Sequence, residues 1–200
     1  MTLSFSSPMP PEAASTPLVR SQRSIVMVGL MGAGKSAIGK RLAARIGLPF
    51  VDTDREVETA AGCSIAEIFE LYGETAFRDV ERRVILRLLE GARGVMATGG
   101  GAFMDPQTRD AIKQRGLSVW LQADLDTLVR RTAKRTHRPL LNSGDPREIL
   151  AQLMAARDPI YALADLHVQS SEASPDETTQ RVITAISAYC AQPGVEAGSP

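Results

Sequence analysis

The chain has 200 residues, of which 44% are hydrophobic and 23% are charged, values that are ordinary for a soluble globular protein. Lysine plus arginine and aspartate plus glutamate number 23 each, so no net charge draws the protein to nucleic acid or to an anionic membrane. No run of about 18 apolar residues is available to span a membrane.

The length suits one domain, which we place at residues 23–190. The segments 1–22 and 191–200 are rich in proline and small residues, and we expect a disordered leader and a disordered tail. Residues 1–20 lack the basic and apolar regions of a secretory signal. Two widely separated cysteines without metal-ligand spacing indicate a reduced, cytoplasmic protein.

The first predicted element is a buried strand over residues 24–29, which leads into the stretch GLMGAGKS. This stretch matches the P-loop pattern in full and opens a helix that ends near Gly47. Such a loop turns backbone N–H groups toward phosphate oxygens at a helix N-terminus. The pattern predicts that Lys35 bridges the β- and γ-phosphates and that Ser36 binds Mg²⁺. The alternative is a glycine-rich turn that binds nothing.

The second predicted strand ends in the stretch DTD, residues 52–54. Two carboxylates at i and i+2 at a strand end point the same way, toward the crevice in which α/β proteins bind ligands. One of them suits Mg²⁺ through water, and the other suits a substrate hydroxyl whose proton it can take. The alternative is a polar turn in which Asp54 caps the next helix.

A long helix, interrupted near Gly73, is predicted over residues 64–90. It carries the stretch FRDVERR, in which Arg78 and Glu81 are three residues apart. Glu81 can therefore hold the guanidinium of Arg78 in place. A solvated helix face is the alternative explanation of this charge pattern.

The third predicted strand, residues 94–99, runs into Gly99, Gly100 and Gly101. Three consecutive glycines cost backbone entropy on folding, and they indicate close approach of the backbone to a ligand. A loose surface turn is the alternative. A helix over about 105–115, a strand over 117–122 and a helix starting near residue 124 are expected next.

The segment 130–146 has no hydrophobic period and is rich in basic residues, namely Arg130, Arg131, Lys134, Arg135 and Arg138. We expect a mobile basic lid that closes on ATP, excludes water and supplies an arginine to the transferring phosphoryl group. A solvated or polyanion-binding run is the alternative, and the absence of interleaved aromatic residues disfavours nucleic acid.

A helix to about residue 164, a strand near 166–169 and a helix over 175–190 complete the chain. Arg157 is expected at a helix break before Pro159. Strands that alternate with helices predict an α/β fold, with three α/β/α layers and a parallel sheet. Ligands then bind at the carboxyl ends of the strands, where all of these motifs fall.

Six motifs in this order resemble those of shikimate kinases, which have the nucleoside-monophosphate-kinase-like P-loop fold: GLMGAGKS, DTD, FRDVE, GGG, R-T-x5-R-P-L-L and RDPIY. The likeness covers about residues 25–189. It implies a five-stranded parallel sheet in the order 2-3-1-4-5 and ATP-dependent phosphorylation of the shikimate 3-hydroxyl in aromatic amino-acid biosynthesis. It also implies one Mg²⁺ per subunit and a cytoplasmic monomer that binds neither nucleic acid nor a membrane.

The resemblance also implies roles for individual residues. The catalytic residues are Lys35, Asp52, Asp54 and Arg138. The ATP-binding residues are Gly32, Ala33, Gly34, Lys35, Ser36, Ala37, Arg131 and Arg138. The shikimate-binding residues are Asp54, Arg78, Gly99, Gly100, Gly101 and Arg157. Glu81 positions Arg78, and Mg²⁺ is held by Ser36 and, through water, by Asp52.

Two departures from the family pattern concern ATP. Ala37 stands where the family often has threonine, so only its backbone N–H can contact the α-phosphate, and the loop near 169–175 lacks an arginine that some members carry. A sugar-acid or nucleoside-monophosphate kinase stays open as a second function. A nucleotide acceptor would need an aromatic or apolar binding site for its base, and only 4% of the residues are aromatic. A nucleotide-dependent switch is a third, but the chain has no N-K-x-D motif.

Overall fold

The computed structural model describes residues 23–133, 144–170 and 174–192. The predicted leader, nearly all of the predicted tail and most of the predicted lid, including Arg138, lie outside these ranges. Within them, no helix has the length and apolar character needed to cross a membrane.

In the described ranges, five strands alternate with α-helices. The strands are β1 Ser24–Val28, β2 Phe50–Asp52, β3 Val95–Ala97, β4 Gly116–Gln122 and β5 Leu166–Gln169. The α-helices are α1 Lys35–Ile46, α2 Thr53–Ala61, α3 Ile65–Glu90, α4 Pro106–Arg115, α5 Leu125–Ala133, α6 Pro146–Tyr161 and α7 Pro175–Cys190, and a short 3₁₀ turn spans Ala102–Met104.

The strands form one parallel sheet in the order β2-β3-β1-β4-β5, which confirms the predicted order. The central strand β1 is buried along its whole length, as expected for a parallel strand covered on both faces. It pairs with β3 on one side and with β4 on the other, and in this register Val26 is aligned with Met96 of β3 and with Ser118 of β4. The loop after β1 therefore lies at the point where the strand order reverses, the usual ligand crevice of such sheets.

Helices α2 and α3 have a small apolar cluster of their own, formed by Val57, Ile68, Phe77 and Val84. This cluster is separate from the main core around β1 and β4. It packs two helices against each other next to the carboxyl end of β2. The side chains that α2 and α3 carry toward the crevice are consequently held by one packed helical unit.

Helix α2 was not predicted, and it changes the interpretation of the DTD stretch. Strand β2 ends at Asp52, whose side-chain Oδ1 accepts a hydrogen bond of 3.3 Å from the N–H of Asp54 and so caps α2. The alternative in which Asp54 is the cap is therefore wrong. Asp54 lies in the first helical turn, where the helix dipole stabilises a carboxylate.

Two other boundaries differ from the prediction. Residues 130–133 belong to α5 and not to a loop. The buried face of this helix consists of Thr127, Leu128 and Thr132. A search for hydrophobic periodicity that counts threonine as polar does not detect this face. Pro159 does not break α6, which continues to Tyr161. The missing proline N–H costs only one hydrogen bond there, close to the C-terminal end of the helix.

The predicted interruption at Gly73 is present as a break inside α3. Gly73 has φ 77° and ψ 174°, a region that essentially only glycine occupies. We expect Gly73→Ala to cost about 1–3 kcal/mol of stability, and the melting temperature should fall by about 2–4 °C for each kcal/mol in a chain of this size. Thermal unfolding followed by circular dichroism measures the change.

The matched control is Gly91→Ala at the C-terminal end of the same helix. Gly91 has φ −81°, and a Cβ there meets nothing closer than 3.5 Å. This variant should melt close to the wild type. Equal melting temperatures for Gly73→Ala and Gly91→Ala would contradict the assignment of strain to Gly73.

Candidate active site

The P-loop follows β1 and opens α1, as its spacing predicts. Its glycines Gly29, Gly32 and Gly34 have φ values of 133°, 85° and 101°, which residues with a Cβ rarely adopt. Lys35 Nζ lies over the loop and donates to the carbonyl oxygens of Gly29 at 2.7 Å and Leu30 at 3.0 Å. The loop therefore has the turned backbone that a phosphate cradle requires.

Ser36 and Asp52 lie together although they are 16 residues apart. The Ser36 hydroxyl donates to Asp52 Oδ2 at 2.8 Å, while the other carboxylate oxygen of Asp52 caps α2. The pair joins the first turn of α1 to the end of β2. A hydroxyl next to a carboxylate at a phosphate cradle offers the oxygen ligands that Mg²⁺ prefers.

A cleft of about 740 Å³ lies at this edge of the sheet. Its lining combines the P-loop with the ends of β2 and β3, and it includes Gly32, Gly34, Lys35, Ser36, Ala37, Asp52, Asp54, Gly99, Gly100, Arg131 and Ser170. Asp52 and Asp54 both face it, although the expected strand alternation is not the reason, since Asp54 is helical. The cleft is large enough for a nucleotide-sized ligand.

Arg131 forms the far side of the P-loop wall. Its Nη1 donates to the Gly32 and Ala33 carbonyls at 3.4 Å each and to the Ser170 hydroxyl at 3.0 Å. Ser170 in turn donates to the Ala33 carbonyl at 2.7 Å. Sequence reasoning missed Ser170, because nothing local indicates a contact between positions 137 residues apart.

The glycine run fits side chains of the protein itself. A Cβ on Gly99 would lie 2.6 Å from Glu81 Oε1 and 2.8 Å from Asp54 Oδ1, and a Cβ on Gly101 would lie 2.5 Å from both terminal nitrogens of Arg78. The run is therefore not a loose turn. The predicted close approach of the backbone occurs, but the partner is not a ligand at these two positions. Gly99 lies against the carboxylates of Glu81 and Asp54, and Gly101 lies against the guanidinium of Arg78.

Arg78 and Glu81 form the expected contact, with Arg78 Nη1 donating to Glu81 Oε2 at 2.6 Å. Glu81 is only 3% exposed. Burial raises the pKa of Glu81, and Arg78 opposes that rise. Burial also acts to lower the pKa of Arg78, but the carboxylates of Glu81 and Glu74 outweigh it and raise that pKa. Glu81 Oε1 accepts no hydrogen bond from the residues that the structure describes.

Arg157 reaches the cleft through Gly100, whose carbonyl oxygen accepts from Arg157 Nη1 at 3.2 Å. The hydroxyl of Tyr161 donates to the same oxygen. Tyr161 is fully buried and stacks against both Phe103 and Trp120. Burial raises the pKa of its phenol, so it stays a neutral donor. Sequence reasoning missed Tyr161. The four-residue spacing from Arg157 on α6 places both side chains on one face of the helix and could have indicated this contact.

Comparison with known proteins gives a consistent result. The family model for shikimate kinase matches residues 31–187. A shikimate kinase from Paramagnetospirillum magneticum is 58% identical over 170 residues, which are 85% of this chain and 87% of that relative.

Solved structures agree with the sequence comparison. A shikimate kinase from Acinetobacter baumannii in complex with shikimate has a TM-score of 0.83 at 34% identity, and the match covers 88% of this chain and 98% of that one. A gluconokinase from Sinorhizobium meliloti 1021 has a TM-score of 0.59 at 19% identity, over 86% of this chain and 95% of that one. The second likeness concerns the fold alone.

Proposed function

The chain belongs to the shikimate kinase family, and we propose that it transfers the γ-phosphoryl group of ATP to the 3-hydroxyl of shikimate. The products are shikimate 3-phosphate and ADP, in aromatic amino-acid biosynthesis. The observation that carries the proposal is the single cleft whose lining includes both the P-loop and Asp54. A phosphoryl donor and a hydroxyl acceptor can thus meet in one cavity.

The ATP half of the proposal rests on the P-loop wall. The backbone N–H groups of residues 32–37 would bind the phosphates, Lys35 would exchange its carbonyl partners for phosphate oxygens, and Arg131 would lie on the adenine side. Arg138, outside the described residues, is the proposed lid contact to the transferring group. These groups act by position and charge, which is most of what enzymes supply in phosphoryl transfer.

The proposed metal is one Mg²⁺, which would neutralise the negative charge that develops on the transferring phosphate. Ser36 would hold it directly and Asp52 through water. In the described ranges, no group of three or more His, Cys, Asp or Glu side chains is placed to bind a metal ion. That fits Mg²⁺, which binds through one or two protein groups together with substrate phosphates and water.

The acceptor half rests on the wall formed by α2, α3 and the glycine run. Arg78 and Arg157 would bind the shikimate carboxylate, since guanidinium groups suit carboxylates by bidentate hydrogen bonding. Glu81 would position Arg78, and the backbone of residues 99–101 would line the sugar-like ring. Asp54 would bind the ring hydroxyls.

The chemistry then follows from this placement. The shikimate 3-hydroxyl oxygen forms a bond to the γ-phosphorus while the bond from that phosphorus to the bridging oxygen of ADP breaks. Asp54 orients the hydroxyl and receives its proton.

We also propose that the enzyme is a monomer and works in the cytoplasm, where ATP is available and where its cysteines, both free, stay reduced.

The proposal is tested by following ADP release with a coupled assay. ADP should form from ATP and Mg²⁺ when shikimate is added, and far more slowly without an acceptor or with gluconate or a nucleoside monophosphate. Equal rates with and without shikimate would point instead to a nucleotide-dependent switch. A higher rate with gluconate would favour the sugar-acid kinase alternative.

A further inference from the structure

Glu74 is a second carboxylate on Arg78, and the roles assigned so far do not use it. Its Oε1 accepts from Arg78 Nη2 at 3.1 Å and from Arg78 Nε at 3.3 Å. Glu81 holds the remaining nitrogen, Nη1, from the buried side. All three guanidinium nitrogens therefore have a carboxylate partner.

The two edges of this guanidinium are not equally open. The end formed by Nη1 and Nη2 lies against Gly101, since a Cβ on that glycine would be 2.5 Å from both nitrogens. The side formed by Nε and Nη2 is the other edge on which a carboxylate can bind with two hydrogen bonds. Glu74 occupies that side.

The two glutamates differ in how firmly they are held. The Glu81 side chain is 4% exposed, whereas that of Glu74 is 64% exposed. An exposed ion pair contributes only about 0.2–1 kcal/mol, while a buried charged pair is costly to separate. Glu74 is thus the partner that an incoming carboxylate can replace.

The backbone around Glu74 allows such an exchange. Glu74 directly follows Gly73, at which the helical path of α3 is broken. On the N-terminal side of that break, Leu71 and Tyr72 are 66% and 67% exposed, so little packing fixes this turn. The side chain of Glu74 can leave Arg78 without disturbing the cluster that joins α2 and α3.

We propose that Glu74 holds the carboxylate-binding edge of Arg78 and is displaced by the carboxylate of the substrate. Glu74 then sets the affinity for an acidic substrate, because each binding event must replace one carboxylate by another. The inference rests on the proposed role of Arg78 in binding shikimate.

The test is Glu74→Gln, which keeps the shape of the side chain and removes its charge. Calorimetry should give a dissociation constant for shikimate about two- to five-fold below that of the wild type, the fold-change that matches 0.5–1 kcal/mol. The KM for shikimate should fall to the same extent, with kcat and the KM for ATP unchanged. An unchanged or raised dissociation constant would overturn the proposal.

The matched control is Glu70→Gln, one turn earlier. Glu70 is exposed and has no ion pair or side-chain hydrogen bond among the described residues, so its substitution should change nothing. A gain in affinity as large as that of Glu74→Gln would mean a general charge effect and would also overturn the proposal.

Arg78→Ala separates this inference from the proposed role of Arg78, and shikimate-dependent ADP release tests the proposed function independently of both. If that variant binds shikimate as well as the wild type, Arg78 has no part in binding, and the proposed role of Arg78 and the Glu74 proposal both fail while the proposed reaction stands. If it binds weakly, Glu74→Gln should give no gain when added to it, because the two side chains act through one contact. A full gain in the Arg78→Ala background would overturn the Glu74 proposal alone.

Discussion

Replacing Asp54 with asparagine is expected to lower kcat for shikimate phosphorylation by about 10²–10⁴-fold, the usual contribution of a positioned acid–base group. Asparagine fills the same space beside Gly99, but it carries no charge and cannot receive the hydroxyl proton. Nucleotide affinity should change little, because Asp54 is not among the groups proposed to bind the phosphates. Steady-state kinetics gives kcat, and calorimetry with ADP and Mg²⁺ gives the nucleotide dissociation constant.

Asp110→Asn serves as the control for this prediction. Asp110 is exposed on α4 and has no side-chain partner among the described residues, so its loss should leave kcat unchanged. A decrease of less than about tenfold for Asp54→Asn would remove Asp54 as proton acceptor and leave it at most an orienting group, since loose phosphoryl-transfer transition states need little help from a base.

Removing Arg78 is expected to change both substrate binding and stability. Arg78→Ala should raise the KM for shikimate by about ten- to hundredfold, which corresponds to the loss of one charge-assisted hydrogen-bonded contact.

The same substitution should also cost about 3 kcal/mol of stability near pH 8, because it leaves the buried carboxylate of Glu81 unpaired. We take the lower end of the range for buried pairs because the Arg78 side chain is 27% exposed. Kinetics and urea unfolding measure the two effects.

The stability loss should depend on pH in a defined direction. Burial already raises the pKa of Glu81 above its ordinary value of 4.5, and Arg78 opposes that rise. Without Arg78 the pKa of Glu81 rises further, so at low pH Glu81 is protonated and neutral and does not destabilise the variant. This advantage in free energy of unfolding is lost as the pH rises through the raised pKa. The loss of stability relative to the wild type should therefore grow from about pH 5 to pH 8.

Two further variants check the explanation. Arg78→Ala combined with Glu81→Gln should recover much of the stability at pH 8, since no buried charge remains to be paired. Arg83→Ala, an exposed arginine on the same helix, should change neither KM nor stability. A deficit of Arg78→Ala that is the same at pH 5 and pH 8 would show that the buried charge of Glu81 is not its cause.

The parts of the site that were predicted from the sequence are those encoded by short spacings. The glycines of the P-loop predict its turned backbone, and the three-residue interval from Arg78 to Glu81 predicts their contact. Gly73 marks the break in α3. The strand order came from the likeness to a known family, because hydrophobic periodicity says which segments are strands and not which strands are neighbours.

The parts that were missed depend on contacts between distant segments. Tyr161 meets Gly100 across 61 residues, and Ser170 meets Arg131 across 39. Helix α2 was missed because its sequence, TDREVETAA, has few apolar residues and buries only Thr53 and Val57. Such a helix depends on its Asp52 cap and on packing against α3, and neither is visible as a period.

The tight fit of Gly99 and Gly101 against charged side chains has a consequence for inhibitors. A compound that rests on this glycine wall would be difficult for the organism to escape by mutation there. Any side chain added at Gly99 collides with Asp54 and Glu81, and any added at Gly101 collides with Arg78. Substitutions that exclude the compound would also dislodge the groups proposed to bind the substrate, so resistance would have to arise at other positions in the cleft.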